Sequence, residues 1–265
     1  MNLYLQEIKS YLKTMLFWIL GIIFMVAAGI GKYEAFSSGG TQDISAILKS
    51  LPKAFIAIFG LAGIPIDSFG GFYGMIYAYI TIMGAVFAIM IGSGILAKEE
   101  RDKTAEFLMV KPISRMKILL IKLLAASTLV LVFVAVTWGT SSAIINTVSP
   151  QDPITQEVAF MMIALFIIMM FYLTISFFMA AFLKDAKKSS QLSLTVMLTS
   201  YMLGVLMGIV DNTDFLRVLV PFQYFRVTEL LDLSLNPFFL GFTIVVSVIA
   251  IAASAYYYPK RDLMI

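Results

Sequence analysis

Val158-Ala-Phe-Met-Met-Ile-Ala-Leu-Phe-Ile-Ile-Met-Met-Phe-Tyr-Leu-Thr-Ile-Ser-Phe-Phe-Met-Ala-Ala-Phe-Leu183 runs for 26 residues without one charged side chain. A bilayer core about 30 Å thick takes roughly 17 to 25 apolar residues in a helix, so this stretch reads as a membrane span. Five more stretches qualify: Met15 to Gly31, Phe72 to Leu96, Leu123 to Ile145, Ser190 to Val210 and Phe238 to Tyr258. None of the six contains Asp, Glu, Lys or Arg. Together they take up about half of the 265 residues, which leaves no room for a soluble domain. The predicted fold is an all-α integral membrane protein with six transmembrane helices in one domain spanning residues 1–265.

Composition points the same way. Hydrophobic residues make up 60% of the chain and charged ones 13%, against the ~25% charged that is usual in a soluble domain. A mean hydropathy of +0.94, with 22 Phe and 17 Met, excludes a soluble enzyme of this length, whose surface would be left apolar. The chain has no His and no Cys. Imidazole acid/base chemistry, thiol nucleophiles, the usual zinc sites and disulfides are thereby excluded.

Orientation follows from the basic residues. With the N-terminus inside, 14 of the 19 Lys and Arg fall on inside segments, and only Lys32, Lys49, Lys53, Arg217 and Arg226 fall outside. The positive-inside rule then places both termini in the cytoplasm. Ala27-Ala28-Gly29 loosely matches a signal-peptidase site, and the first span reads as a signal anchor. Before it, Tyr4, Ile8, Tyr11, Leu12 and Met15 form a helical stripe, with Glu7, Lys9 and Lys13 largely on the other side. This predicts a helix over residues 1–14 lying in the inner interface. Two outside segments carry apolar residues of their own. Lys32 to Gly71 is expected to hold short helices broken at Pro52, and Asp211 to Pro237 to pack on the outer mouth of the bundle.

The cytoplasmic segment 97–115 is the most specific text in the chain. It reads Lys98-Glu-Glu-Arg-Asp-Lys-Thr-Ala-Glu-Phe-Leu-Met-Val-Lys-Pro-Ile-Ser-Arg115. It describes a short charged helix with an apolar patch at Phe107, Leu108 and Val110. Pro112 ends that helix, because a proline disfavours helical geometry at Lys111. Ser114 is placed to cap the following helix, whose first turn carries Arg115 and Lys117. A loop that only set topology would account for the basic residues but not for Glu99, Glu100, Asp102 and Glu106 among them. Interleaved charge around an apolar patch is a protein-docking pattern.

In these residues the segment resembles the cytoplasmic signature of ABC-2-type transporter permeases: an acidic pair, Gly-Thr, Glu, a Leu pair and Pro-Ile-Ser-Arg. Glu99 and Glu100, Thr104, Glu106, Phe107 with Leu108, and Pro112-Ile113-Ser114-Arg115 fall in that register. Lys103 replaces the Gly and Phe107 the first Leu. Leu51-Pro52, Pro221-Phe222 and the six-span layout extend the resemblance over nearly the whole chain.

The resemblance implies a type V exporter-like transmembrane domain. Two such permease subunits, of the same or different chains, would form the pathway, each resting on a separate ABC ATP-binding subunit. It also implies that residues 99–110 are the coupling helix. The chain's own text agrees, since its one Gly-Lys pair, Gly31-Lys32, lacks the upstream Gly of a phosphate-binding loop. No cofactor is expected on this chain, with ATP and Mg belonging to the partner, and no nucleic-acid partner is expected. The setting implied is a bacterial plasma membrane. An ion-coupled secondary transporter would place an ionisable residue near the midplane, where the spans have none. A membrane-embedded enzyme would need a His or paired carboxylates there, and a non-transport scaffold is the remaining alternative.

Within the spans, Gly84, Ala88 and Gly92, and likewise Ser200, Gly204 and Gly208, recur at steps of four. Such steps allow close helix packing, within one subunit or, for span five, between subunits. Thr195, Thr199 and Tyr201 are candidates for lining the pathway or for hydrogen bonding to neighbouring helices. A pathway rich in Met and Phe suits an amphipathic or lipid-like cargo.

The topology is testable because the chain is naturally free of cysteine. Single cysteines at positions 40 and 152 should react with an impermeant thiol reagent on intact cells, and cysteines at 103 and 187 should not. Labelling at position 103 from outside would reverse the assignment.

Overall fold

The computed structural model describes residues 3–38, 51–59, 64–65, 68–101, 113–148, 154–183, 185–210 and 212–260. Among them the chain forms helices α1 (Leu3–Ser38), α2 (Lys53–Ile58), α3 (Phe69–Arg101), α4 (Arg115–Val148), α5 (Thr155–Phe182), α6 (Ala186–Ile209), α7 (Val227–Leu231) and α8 (Pro237–Tyr257). Six of these, α1, α3, α4, α5, α6 and α8, are long and apolar enough to cross a membrane. Short 3₁₀ turns at Asp214–Leu219 and Pro221–Gln223 precede α7. No strand occurs among the described residues.

Most of these helices overrun the uncharged runs that reveal them, because the hydrogen-bonded backbone continues past the apolar region for as long as the residues tolerate helix. Their starts are set by capping. Ser68 Oγ accepts from Gly71 N at 3.0 Å before α3, and Asp185 Oδ1 accepts from Lys187 N and Lys188 N at 2.8 and 3.3 Å before α6. Asn236 Oδ1 accepts from Phe238 N at 3.1 Å before α8, with Pro237 in the first turn. Each satisfies a helix N–H that would otherwise lack a partner.

Helix α1 departs from the sequence expectation. It is unbroken over 36 residues, roughly 54 Å at 1.5 Å per residue, so no joint separates residues 3–14 from the span. Tyr4, Ile8, Tyr11 and Met15 pack against the bundle's own core, and Glu7 lies buried among them. Four residues of the stripe thus face the bundle, beside α3 and α4, while Leu12 is 45% exposed.

The bundle is built around α3 and α5, which share the most extensive interface, while α5 also packs on α4, α6 and α8. The apolar part of α3 is 72% buried and that of α5 61%, whereas those of α1, α6 and α8 are only 17 to 22% buried. The periphery is therefore apolar and uncovered, as a lipid-facing or subunit-facing surface must be. Small residues permit the central contact. A Cβ on Gly92 would stand 2.2 Å from Ser176 Oγ and 2.6 Å from Leu173 O, and one on Gly84 3.0 Å from Met169 Sδ. The stripe Gly84, Ala88, Gly92 thus serves packing within the chain. Buried hydroxyls join neighbouring helices: Tyr73 Oη donates to Ser141 Oγ at 2.7 Å, Tyr172 and Ser200 share a 2.9 Å bond, and Tyr4 and Thr128 another at 2.9 Å.

The long first outside segment is described only in part. Pro52 precedes α2, and Tyr201 Oη donates to Ile58 O at 2.9 Å, which fixes α2 on α6.

Gly92→Ala should destabilise the protein by about 1–3 kcal/mol through overpacking. Gly139→Ala, whose added Cβ meets nothing within 4 Å, should be neutral or slightly stabilising because Ala favours helix. Thermal unfolding in detergent measures both, and equal behaviour of the two variants would remove the close α3–α5 contact from the account.

Candidate functional site

The start of α1, the end of α3, the start of α4 and the ends of α5 and α8 meet at one end of the bundle. There Ser114 caps α4 as its position foretold, accepting from Lys117 N at 3.3 Å through its hydroxyl and from Ile118 N at 3.1 Å through its carbonyl. Arg115 Nη1 donates to Pro259 O at 2.9 Å, which ties the start of α4 to the end of α8. The guanidinium of the Pro-Ile-Ser-Arg motif is thus a strut inside the chain. Thr104, Glu106, Phe107, Leu108 and Pro112 lie outside the described residues. Glu99 and Glu100 fall in the last turn of α3, and their side chains are outside the described part.

One charged cluster was not anticipated. Glu7, Lys98 and Lys122 come from α1, α3 and α4, and are 1%, 15% and 0% exposed. Lys98 Nζ lies 2.5 Å from Glu7 Oε2, and Lys122 Nζ lies 3.2 Å from Glu7 Oε1. Lys122 Nζ also donates to Ile95 O at 2.5 Å, and Lys98 Nζ to Ser10 Oγ at 3.2 Å. Lys122 is the last residue before an uncharged run, and Glu7 stands on the same helical face as Tyr4 and Tyr11. Those two positions were the available signal, but pairing across 91 and 115 residues of sequence is invisible to a local pattern.

At the opposite end the segment after α6 folds back over the bundle. Arg217 organises it. Its guanidinium donates to the carbonyls of Gln223 and Tyr224 at 2.8 and 3.1 Å, reaches Glu229 Oε1 and Oε2 at 2.7 and 2.9 Å, and lies 4.6 Å over the Phe239 ring. Tyr224 stacks on Phe239 with centroids 4.8 Å apart, and burial pushes its hydroxyl up to about 12. Val220, Tyr224, Phe225 and Leu230 are buried, while Phe215 and Leu219 face outward. The segment packs on the bundle as expected, with Phe222, Val227, Leu231 and Leu235 also against the core, while Val218 and Leu233 join Phe215 and Leu219 on the exposed side.

Between this segment, α3 and α6 lies a cleft of about 490 Å³. Ile82, Ile168, Met207 and Phe222 supply apolar wall, while Tyr77, Thr81, Tyr201, Gln223 and the Asp214–Arg226 pair supply polar groups. The buried Tyr77 hydroxyl makes no satisfactory hydrogen bond among the described residues, with Thr81 one turn on as its polar neighbour. Of the candidates on span five, Tyr201 and Gly208 line the cleft. Ser200 is buried against Tyr172, and a Cβ on Gly204 would stand 2.9 Å from Val220 of the same chain. Thr195 and Thr199 are exposed on the outer face of α6, Thr195 bonding back to Gln191 O at 2.9 Å. The structure thus divides these six residues among packing, cleft and exposed surface.

Curated proteins yield no match to this chain. A family model described as ABC-2 family transporter protein matches residues 1–263. With that match covering nearly the whole length of a six-helix, multi-pass membrane protein, the chain belongs to the ABC-2 transporter family and is a membrane-spanning permease of an ABC transporter.

Proposed function

We propose that this chain is the permease subunit of an ATP-driven exporter in a bacterial plasma membrane. It works as a dimer of permeases and couples through residues 99–115 to a separate ATP-binding subunit that carries ATP and Mg. The observation that supports this best is where that segment is attached. It joins α3, the most buried spanning helix, directly to α4. A push on the segment therefore reaches the middle of the bundle instead of a peripheral helix. Phe107 and Leu108 form the buried anchor of the docked helix, because apolar residues at the centre of an interface carry most of its energy. Glu99, Glu100, Thr104 and Glu106 orient it, and Pro112 keeps the corner stiff.

The second permease subunit packs on the exposed face of α6, where Thr195, Leu198, Thr199, Met202 and Leu206 stand uncovered. The cleft beside Tyr77 and Gly208 forms the outer part of the pathway. Its mixed lining and its size, within the roughly 300–1,000 Å³ usual for small-molecule sites, suit an amphipathic cargo with a hydrogen-bonding group to meet the Tyr77 hydroxyl.

Burial of one large side chain contributes roughly 1.5 to 3 kcal/mol, and about 1.4 kcal/mol is a decade of affinity. Phe107→Ala should therefore weaken capture of the ATPase about tenfold or more. Glu106→Lys should cost less affinity and mainly lower transport per ATP hydrolysed, and Pro112→Ala should lower that ratio without loss of assembly. Pull-down of the ATPase together with the transport-to-hydrolysis ratio measures all three. Parental behaviour in every variant would reduce the segment to a topology loop, and ATP hydrolysis by the pure chain would overturn the division of labour.

A further inference from the structure

The cluster of Glu7, Lys98 and Lys122 has no part in the function proposed above, yet it occupies the costliest kind of position a charge can take. Lys122 is fully buried and Glu7 nearly so. Charges removed from water are tolerated only when they are paired and hydrogen-bonded. The three come from three different helices, and the single carboxylate bridges two ammonium groups. Its two partners flank the 102–112 segment, Lys98 near the end of α3 and Lys122 two turns into α4. A hydrogen bond between Tyr4 and Thr128 at 2.9 Å and one from Lys98 to Ser10 at 3.2 Å run alongside, so the first turns of α1 are held at several points.

We propose that Glu7 is a positioning residue for coupling. By bridging Lys98 and Lys122 it fastens the start of α1 to both helices that leave the 102–112 segment, so that displacement of that segment carries α1 with it. The proposal rests on the permease reading above for the source of the displacement, but the fastening itself belongs to this chain alone.

Charge balance gives the latch a test that mere stabilisation would fail. Among the described residues the cluster carries one net positive charge. Glu7→Gln leaves two buried ammonium groups without their carboxylate, and should assemble poorly. Glu7→Gln combined with Lys122→Met returns the net charge to one and relieves the repulsion, but makes no ion pair from α1. Glu7→Asp keeps the charge. In the complex with its ATPase, the double variant should assemble and hydrolyse ATP while its transport per ATP falls about fivefold or more, the change that roughly 1 kcal/mol makes in an equilibrium. Glu7→Asp should couple like the parent. Parental coupling by the double variant would show that Glu7 only compensates buried charge, and a loss in Glu7→Asp equal to that of the double variant would show that the carboxylate charge is not what matters. Either result overturns the proposal.

A measurement on the chain alone separates this from the permease reading. With cysteines at positions 4 and 128 and a short bis-maleimide, the link between α1 and α4 should form less efficiently in Lys122→Met than in the otherwise unchanged chain. Equal yields would overturn the latch whatever the ATPase does. A parent that shows no ATP-driven transport would overturn the permease reading while leaving this readout intact.

Discussion

Hydrocarbon offers a polar group no partner, and most of this structure is the consequence. Each backbone N–H and C=O in the membrane must be satisfied within its own segment or in a closed sheet, and among the described residues the chain does so with helices alone. The same rule governs side chains. Tyr73 and Ser141, Tyr172 and Ser200, and Tyr4 and Thr128 meet across helix pairs, while Thr81, Ser93, Thr137 and Ser254 return their hydroxyls to the carbonyl one turn back. The hydrophobic effect gives helices in lipid no reason to approach one another. Their order comes from these bonds and from small residues such as Gly84 and Gly92 that let backbones close.

The charges obey the rule most strictly, and they sit at the two ends. Glu7, Lys98 and Lys122 bind three helices at the end that carries the termini, and Arg217 binds the returning segment to α7 and α8 at the other. Between them, apart from those hydroxyl pairs, the packing is apolar, with Met161, Met162 and Met169 among the buried residues of α5. Apolar contact sets the distance between helices but is tolerant along their axes. A charged contact in low dielectric is not tolerant, because a lost partner leaves a buried charge uncompensated. Register along the axes is therefore fixed at the ends and spacing in the middle.

What the sequence made legible follows the same division. An uncharged run of sufficient length identifies a span on its own, since its cause, the thickness of the bilayer, is the same for every protein. Helix ends were less legible: α1 runs on to Ser38 and α3 to Arg101, because charged and polar residues outside the apolar region continue a helix without any signal of hydropathy. Ser114 was readable as a cap because capping is local. Glu7 was misplaced because amphipathic sorting sends charges to water unless a partner is known, and its partners lie 91 and 115 residues away. Gly204 was readable as a site of close approach but not as to what approaches it. That neighbour is Val220, in a segment whose return over the bundle depends on Arg217 finding Glu229.

The uneven burial of the spans bears on how such a bundle can move. Helices α3 and α5 are joined where a single added carbon would collide with backbone, so they cannot slide past one another without separating. Helices α1, α6 and α8 leave most of their apolar surface uncovered, and a shift of any of them exchanges one apolar neighbour for another at little cost. Any motion applied between α3 and α4 would then be carried by the α3–α5 pair as a unit and absorbed at the periphery. The peripheral helices differ in how they are tied at the end carrying the termini. There α1 is held by buried ion pairs and α8 by the Arg115 bond to Pro259, while α6 starts from a cap within its own chain segment. Helix α6 is only 22% buried over its apolar part, and its far end lines the cleft. A displacement of the core can therefore be taken up at little cost by a helix that forms the cleft's wall.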